Sequence, residues 1–333
     1  MRRPPVLGRA RGENASQRRR NVGSEGSFPF AKNAQGQDDR NFWKFMMQRI
    51  LTALVLIPLV LLLILRSPGP VLAVVAGIVA LLAIREFLEL TRHYEVEPFS
   101  IATYIFVGMA FLFWAPNDVG IVFLAALASL APFVFLSIGL RRENLRSIYP
   151  ATAATVFAFA YIAVPMIMLL HLTRFSLIYL MLVVWSGDIF AYFVGKFLGR
   201  HKMSPVISPK KTWEGAAASL LTSVFFGTLF YQYSMQINQM LQHFNLLSEY
   251  DRWWGLNEWA IWKVILLSAT LNVAAQFGDL VESAIKRGAD VKDSGSILPG
   301  HGGMLDRIDA LLFAAPVLWC FCNLRLLVFG HRF

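Results

Sequence analysis

Long apolar runs recur along this chain of 333 residues, and they limit its possible folds more than any other feature. Hydrophobic residues make up 56% of the chain and charged residues only 16%, whereas an ordinary soluble domain is about 25% charged. A bilayer core about 30 Å thick needs roughly 20 apolar residues per helix, so the runs predict transmembrane helices. We therefore expect an all-α, polytopic integral membrane protein.

Nine apolar runs are long enough to be candidate spans. They lie at approximately 50–65, 71–84, 101–115, 119–138, 151–170, 175–194, 215–234, 260–277 and 310–329. If the N-terminus is cytoplasmic, 25 of the 31 Lys and Arg residues fall in cytoplasmic segments, as the positive-inside rule requires. We therefore predict about nine transmembrane helices and a cytoplasmic N-terminus.

The first 45 residues differ in composition from the rest. They are rich in Arg, Gly, Ser, Asn and Gln and show no apolar periodicity, which is typical of disordered segments. The net charge of the chain is +10, and the basic residues of this segment favour contact with anionic lipid headgroups over nucleic acid. We interpret residues 1–45 as a disordered basic cytoplasmic tail and residues 46–333 as a transmembrane domain.

Charged residues concentrate in residues 276–309, which read QFGDLVESAIKRGADVKDSGSILPGHGGMLDRID. Asp279, Glu282 and Lys286 are spaced i, i+3 and i+7 and would share one face of a helix. Farther on, a Gly-rich turn precedes a predicted helix start that carries Asp306 and Asp309 one turn apart. Free backbone N–H groups beside a helix N-terminus suit a phosphate, and carboxylates next to a phosphate suggest Mg²⁺.

A purely structural interpretation of this segment remains open. The first half could be a solvated helix end with an internal Glu282–Lys286 pair. In the second half, Asp306 and Asp309 could simply complement the dipole of the helix that follows. That interpretation does not account for the charges upstream or for His301 and Arg307 beside them.

Residues 208–215 form a second polar motif, SPKKTWEG, between the sixth and seventh runs. Its cations and hydroxyl groups suit phosphate, and Glu214 would lie near the start of the seventh span. The alternative is a positive-inside loop that ends in a helix cap.

Two carboxylates lie in or beside apolar runs. Asp188, in WSGDIFAY, falls within the sixth run, where an ionised carboxylate costs about 2.5–3.5 kcal/mol on insertion scales. We expect Asp188 to face a cavity, a metal or a cationic partner, with Lys196 and Arg200 as candidate partners. Glu86, at the end of the second run, is interpreted as part of an interfacial cluster with Arg85 and Glu89.

Together these motifs resemble the signature of the CDP-diacylglycerol synthases, also called phosphatidate cytidylyltransferases. The pattern S-A-I-K-R, four residues, K-D-S-G and then I-L-P-G-H-G-G-M-L-D-R-I-D is matched from Ser283 to Asp309. The motif SPKKTWEG and the pattern GD-x-x-A-Y at 187–192 are also similar to this family. The resemblance implies that CTP and phosphatidic acid give CDP-diacylglycerol and pyrophosphate, in phospholipid biosynthesis.

The resemblance also implies roles for individual residues. It places a two-cation centre containing Mg²⁺ on Asp279 and Asp306, with Asp309 as a third carboxylate, and adds Lys286 and His301 to the catalytic group. Its catalytic loops would lie within residues 185–215 and 276–309. Expected substrate contacts are Asp188, Ser208, Lys210, Lys211, Thr212, Glu214, Ser283, Arg287, Lys292, Asp293, Gly300, Gly302, Gly303 and Arg307.

The expected partners are CTP, phosphatidic acid and membrane lipids, without nucleic acid, and the chain could form a homodimer. The expected location is a bacterial cytoplasmic (inner) membrane, with the active site facing the cytoplasm. Two other functions stay open. A CTP-dependent lipid or polyprenol kinase would move the γ-phosphate to lipid, whereas an ion-coupled transporter would need no CTP.

Overall fold

The structure, a computed structural model, describes residues 54–115, 118–247, 260–297 and 302–329. All of them belong to one compact unit and most of them are helical. The predicted basic tail, residues 1–45, lies outside the described residues, as do Gly300 and His301.

Eleven α-helices and one small hairpin follow in chain order within the described residues. The helices are α1 (Leu54–Arg66), α2 (Gly69–Arg92), α3 (Ser100–Leu112), α4 (Asp118–Gly139), α5 (Ile148–Ala158), α6 (Val164–Leu170), α7 (Arg174–Phe197), α8 (Trp213–Gln232), α9 (Ser234–His243), α10 (Ile261–Gly288) and α11 (Leu305–Phe329). A 3₁₀ turn, Leu145–Ser147, precedes α5, and a π-helical segment, Phe159–Ala163, joins α5 to α6. Strands β1 (Lys202–Ser204) and β2 (Ser208–Thr212) pair antiparallel between α7 and α8.

The helical membrane architecture predicted from the apolar runs is confirmed. Each run coincides with a helix, or with the continuous helical stretch through α5 and α6. Within the described ranges, five helical stretches are long and apolar enough to cross a membrane. They are Gly69–Arg92, Val119–Gly139, Leu145–Leu170, Arg174–Phe197 and Ile261–Gly288.

Two helices extend well beyond the apolar runs that predicted them. Helix α2 continues to Arg92 and α10 continues to Gly288, whereas the runs end near 84 and 277. The added turns contain Glu, Lys and Arg, which are good helix formers, so the helix persists where the apolar pattern stops. These extra turns carry several of the charged residues of the site.

Helices α7, α8 and α10 pack closely through small and polar side chains. A Cβ atom on Gly187 would lie 2.5 Å from Asn272 Nδ2, so only glycine allows this approach of α7 to α10. Asn272 Nδ2 donates to the hydroxyls of Ser219 and Ser223 on α8, at 2.8 Å each, and Gln276 donates to Asn272 Oδ1 at 2.6 Å. This buried polar network fixes α10 against its neighbours one turn before Asp279.

Candidate active site

Four carboxylates from three helices converge on one polar cavity of about 250 Å³. Asp188 comes from α7, Asp279 from α10, and Asp306 and Asp309 from the first turns of α11. In the described part of the chain, its lining residues are Asp188, Asp279, Lys286, Asp293, Asp306, Arg307, Asp309 and Ala310. The expectation that Asp188 faces a cavity is confirmed.

Lys286 connects the two helices that carry most of these carboxylates. Its Nζ lies 2.5 Å from Glu282 Oε2 on α10 and 2.5 Å from Asp306 Oδ1 on α11. The predicted Glu282–Lys286 pair is therefore present, but it is not at a solvated helix end, because Glu282 is only 1% exposed. Burial strengthens such an ion pair and fixes its geometry.

Lys211 brings the hairpin into contact with Asp279, one of the lining carboxylates. This side chain, on strand β2, places Nζ 2.6 Å from Asp279 Oδ2, and both groups are partly exposed. Ser283 Oγ lies 3.5 Å from the other oxygen of Asp279. Two carboxylates of the cavity, Asp279 and Asp306, thus each face a lysine ammonium.

The turn before α11 is folded around Asp306. Oδ2 of Asp306 accepts hydrogen bonds from the backbone N–H groups of Gly303, at 2.7 Å, and Ser294, at 3.0 Å. Gly302 has a φ of +77° and its missing Cβ would lie 2.6 Å from Asp306 Oδ2, so glycine is needed there. Asp306 is therefore held in one orientation by both oxygens.

Glu86 is a functional candidate that the sequence interpretation places wrongly. That interpretation predicts an interfacial cluster, but Glu86 is 2% exposed and faces the turn before α11. Its carboxylate accepts hydrogen bonds from Ser294 Oγ and from the backbone N–H groups of Met304 and Leu305. Arg85 and Glu89 do form an exposed pair, at 3.2 Å. Glu86 lies only one turn from Glu89 but is buried, a difference that the end of an apolar run does not reveal.

Other predicted substrate contacts have structural partners. Thr212 accepts a hydrogen bond from the Gly215 N–H and caps α8. Glu214 lies 2.6 Å from the His201 ring, and the hydrogen bonds from its own backbone N–H and from His201 lower the pKa of Glu214 to about 2. Arg287 donates to the carbonyl groups of Ile207, at 3.3 Å, and Val291, at 2.7 Å.

The remaining predicted residues are less closely connected to the cavity. Asp293 and Arg307 line it, and Gly302 and Gly303 form the turn beside it. Ser208, Lys210 and Lys292 are not among its lining residues in the described part of the chain. The cationic partners predicted for Asp188 are not found there either: Lys196 lies over the rings of Tyr192 and Phe197.

A second, apolar cavity of about 1600 Å³ adjoins the polar one. It is lined mainly by aliphatic and aromatic side chains from α1, α2, α6 and α7. Asp188, Asp306, Arg307 and Asp309 line both cavities, so the carboxylates stand where an apolar space meets a charged one. No sequence motif predicted this cavity, because its walls come from helices that are distant in the chain.

The donor chemistry of the polar cavity fits Mg²⁺. Five carboxylates line it with only Lys286 and Arg307 as cations, and carboxylate oxygens are the ligands that hard divalent cations take. In the described residues, no three His, Cys, Asp or Glu side chains are already placed to hold a metal ion. Mg²⁺ does not need such a cage, since it commonly binds through one or two carboxylates together with substrate phosphates.

Comparison with known proteins identifies the family of the chain. Residues 47–325 match the model of the cytidylyltransferase family. The chain is 34% identical over 280 residues to a phosphatidate cytidylyltransferase of Staphylococcus epidermidis, covering 82% of this chain and 97% of that protein. The phosphatidate cytidylyltransferases of Staphylococcus haemolyticus and Staphylococcus aureus show the same identity and the same coverage. With its carboxylate cavity and this similarity over most of its length, the chain belongs to the cytidylyltransferase family.

Proposed function

We propose that this protein is a phosphatidate cytidylyltransferase, which makes CDP-diacylglycerol and pyrophosphate from CTP and phosphatidic acid. One observation carries the proposal. A charged cavity lined by Asp188, Asp279, Asp306 and Asp309 shares three of these carboxylates with a large apolar cavity, so a polar nucleotide and a lipid could meet at the shared residues. The names of the similar staphylococcal proteins support the same reaction.

In this reaction an oxygen of the lipid phosphate attacks the α-phosphorus of CTP. The bond from the α-phosphorus to the bridging oxygen breaks, and pyrophosphate leaves. Because the lipid phosphate is itself the nucleophile, the protein has to align two anions rather than supply a nucleophilic side chain. Lys211, Lys286 and Arg307 are the cations placed to contact phosphate oxygens.

We assign Asp279, Asp306 and Asp309 as the residues that would hold Mg²⁺, in a centre of two cations. Bound there, the metal would neutralise phosphate charge and favour departure of pyrophosphate. Salt bridges to Lys211 and Lys286 orient the carboxylates of Asp279 and Asp306. His301 stays a predicted member of the catalytic group and, with Gly300, lies outside the described residues.

The apolar cavity is the proposed site for the acyl chains of phosphatidic acid. Its volume of about 1600 Å³ exceeds the usual 300–1,000 Å³ of a small-molecule pocket, as a diacyl lipid requires. Arg307 lines both cavities and is exposed, so it is suited to hold the lipid phosphate between them. Its position explains how one substrate can stay in the membrane while the other arrives from water.

We further propose nine transmembrane spans with a cytoplasmic N-terminus in a bacterial cytoplasmic membrane, and an active site on the cytoplasmic side. The coincidence of the nine apolar runs with helices supports the count, and the Lys/Arg distribution supports the orientation. A cysteine in place of exposed Lys202, in a variant without Cys320 and Cys322, should react with an impermeant thiol reagent only from the cytoplasmic side. We also propose a homodimer, and the molar mass of the purified protein, measured by light scattering, tests it.

The decisive assay uses two differently labelled forms of CTP with purified full-length protein, phosphatidic acid and Mg²⁺. We expect the α-label to enter the lipid and the γ-label to appear in pyrophosphate. Transfer of the γ-label to lipid would instead identify a lipid kinase. Flux of a solute across sealed vesicles, with no CTP consumption, would identify a transporter.

A further inference from the structure

Glu86 is a buried carboxylate that the proposed reaction does not use, although it lies next to the residues that do. It projects from α2, 218 residues away in sequence from Met304 in the turn that it contacts. Oε1 accepts the N–H of Met304 at 2.9 Å, and Oε2 accepts the N–H of Leu305 at 2.8 Å and the hydroxyl of Ser294 at 2.9 Å. Within the described residues no Lys or Arg pairs with it.

Glu86 and Asp306 contact the same two places in the chain, at Ser294 and at residues 303–305. Asp306 Oδ2 binds the backbone N–H groups of Ser294 and Gly303, whereas Glu86 binds the side chain of Ser294 and the two backbone N–H groups that follow Gly303. Ser294 is thus held from both sides. Any shift of the Glu86 carboxylate must move both anchors of Asp306.

Two glycines of the signature are explained by the same carboxylate. A Cβ atom on Gly295 would lie 2.5 Å from Glu86 Oε1, and a Cβ atom on Gly303 would overlap Glu86 Oε2 and Ser294 Oγ. The backbone therefore approaches Glu86 as closely as glycine permits. Such an approach indicates a site built around the carboxylate rather than a chance contact.

We propose that Glu86 is a positioning residue, which holds Ser294 and the start of α11 in place so that the Asp306 carboxylate points into the polar cavity. Burying a carboxylate has a large desolvation cost, and here three neutral donors and the N-terminal dipole of α11 offset it. Glutamine cannot replace it fully. The glutamine side chain has one acceptor oxygen, so in Glu86→Gln at least one backbone N–H of Met304 or Leu305 would face an NH₂ group.

The test compares Glu86→Gln with Glu89→Gln, a matched control one turn along α2 whose side chain forms an exposed ion pair with Arg85. The kinetic part of this test rests on the proposed function. Hydrogen exchange of the full chain in lipid nanodiscs provides a second measurement that does not depend on the reaction. We expect faster exchange of the Met304 and Leu305 amides in Glu86→Gln alone. In the kinetic arm we expect its kcat per folded molecule to fall about 10- to 100-fold, with KM for phosphatidic acid unchanged.

Ser294→Ala provides a second variant that removes one contact of Glu86 and keeps the backbone. We expect a smaller loss of kcat in Ser294→Ala than in Glu86→Gln. The kcat of the double variant should fall by less than the product of the two single fold-losses. The proposal would be overturned if the exchange rates and kcat of Glu86→Gln equalled those of Glu89→Gln. It would also be overturned if the activity of Glu86→Gln fell only in proportion to its folded fraction. If the unaltered protein makes no CDP-diacylglycerol, the proposed function fails, but the hydrogen-exchange measurement still decides the role of Glu86.

Discussion

Replacing Asp306 by Asn is the most direct test of the site, because its structural and chemical effects can be separated. Oδ2 of Asp306 accepts two backbone N–H groups and Oδ1 accepts Lys286 Nζ at 2.5 Å. In Asp306→Asn the single amide oxygen can keep both backbone bonds. The new NH₂ group then faces the Lys286 ammonium, donor against donor, so the bond to Lys286 is lost.

The expected loss of stability is moderate. One hydrogen bond to a charged group contributes about 1.5–3 kcal/mol, and Lys286 keeps its second partner, Glu282, at 2.5 Å. The protein should therefore still insert and fold. Activity should fall far more than stability, by over about 100-fold, because the change removes a proposed metal ligand and not only a contact around it.

The assay measures incorporation of α-labelled CTP into lipid, with thermal unfolding of the same preparation as the folding readout. Asp290→Asn is the matched control. Asp290 is exposed and has a φ of +57°, a backbone conformation that asparagine also tolerates. Near-normal turnover by Asp306→Asn would refute the metal-ligand role, and equal losses in both variants would refute the argument that the effect is local to the cavity.

Three further predictions address the lipid site, the hairpin and pH. Ala73→Trp would fill the apolar cavity and should raise KM for phosphatidic acid but not for CTP, whereas Ile78→Trp, exposed on the same helix, should change neither. Lys211→Met should raise KM for CTP more than tenfold and leave KM for the lipid unchanged, with Lys202→Met as the control; equal effects would contradict a phosphate contact by Lys211. The pKa of Glu214 is lowered from 4.5 to about 2, so its stabilising contribution is complete above pH 4.5 and is lost as pH falls towards 2. The difference in Tm between the unaltered protein and Glu214→Gln should therefore narrow over that interval. A constant difference in Tm would contradict the lowered pKa of Glu214.

Local spacing predicted the contacts that lie within a single helix. Glu282 and Lys286 are four residues apart, so a helix brings them together in any tertiary context. The same holds for the start of α11, where Asp306 and Asp309 follow a glycine-rich turn. The signature from Ser283 to Asp309 therefore contains two of the three proposed metal ligands, Asp306 and Asp309.

Contacts between distant helices could not be predicted in this way. Lys211 and Asp279 meet across 68 residues, and Glu86 reaches the turn before α11 across more than 200. Glu86 and Glu89 have the same chemistry and nearly the same place in the sequence. Glu86 is buried against the residues that precede and start α11, whereas Glu89 is exposed beside Arg85.

The sequence alone determined the class of the protein, its helices and the residues available for chemistry. These follow from local physics: an apolar run in a membrane must satisfy its backbone hydrogen bonds within a helix, and helical spacing sets which neighbours can touch. Tertiary structure decided which carboxylates face one cavity, which lysines accompany them and where the apolar cavity meets them. Those arrangements depend on how helices far apart in the chain pack, and α7, α8 and α10 can approach as closely as they do only because of the small residues between them.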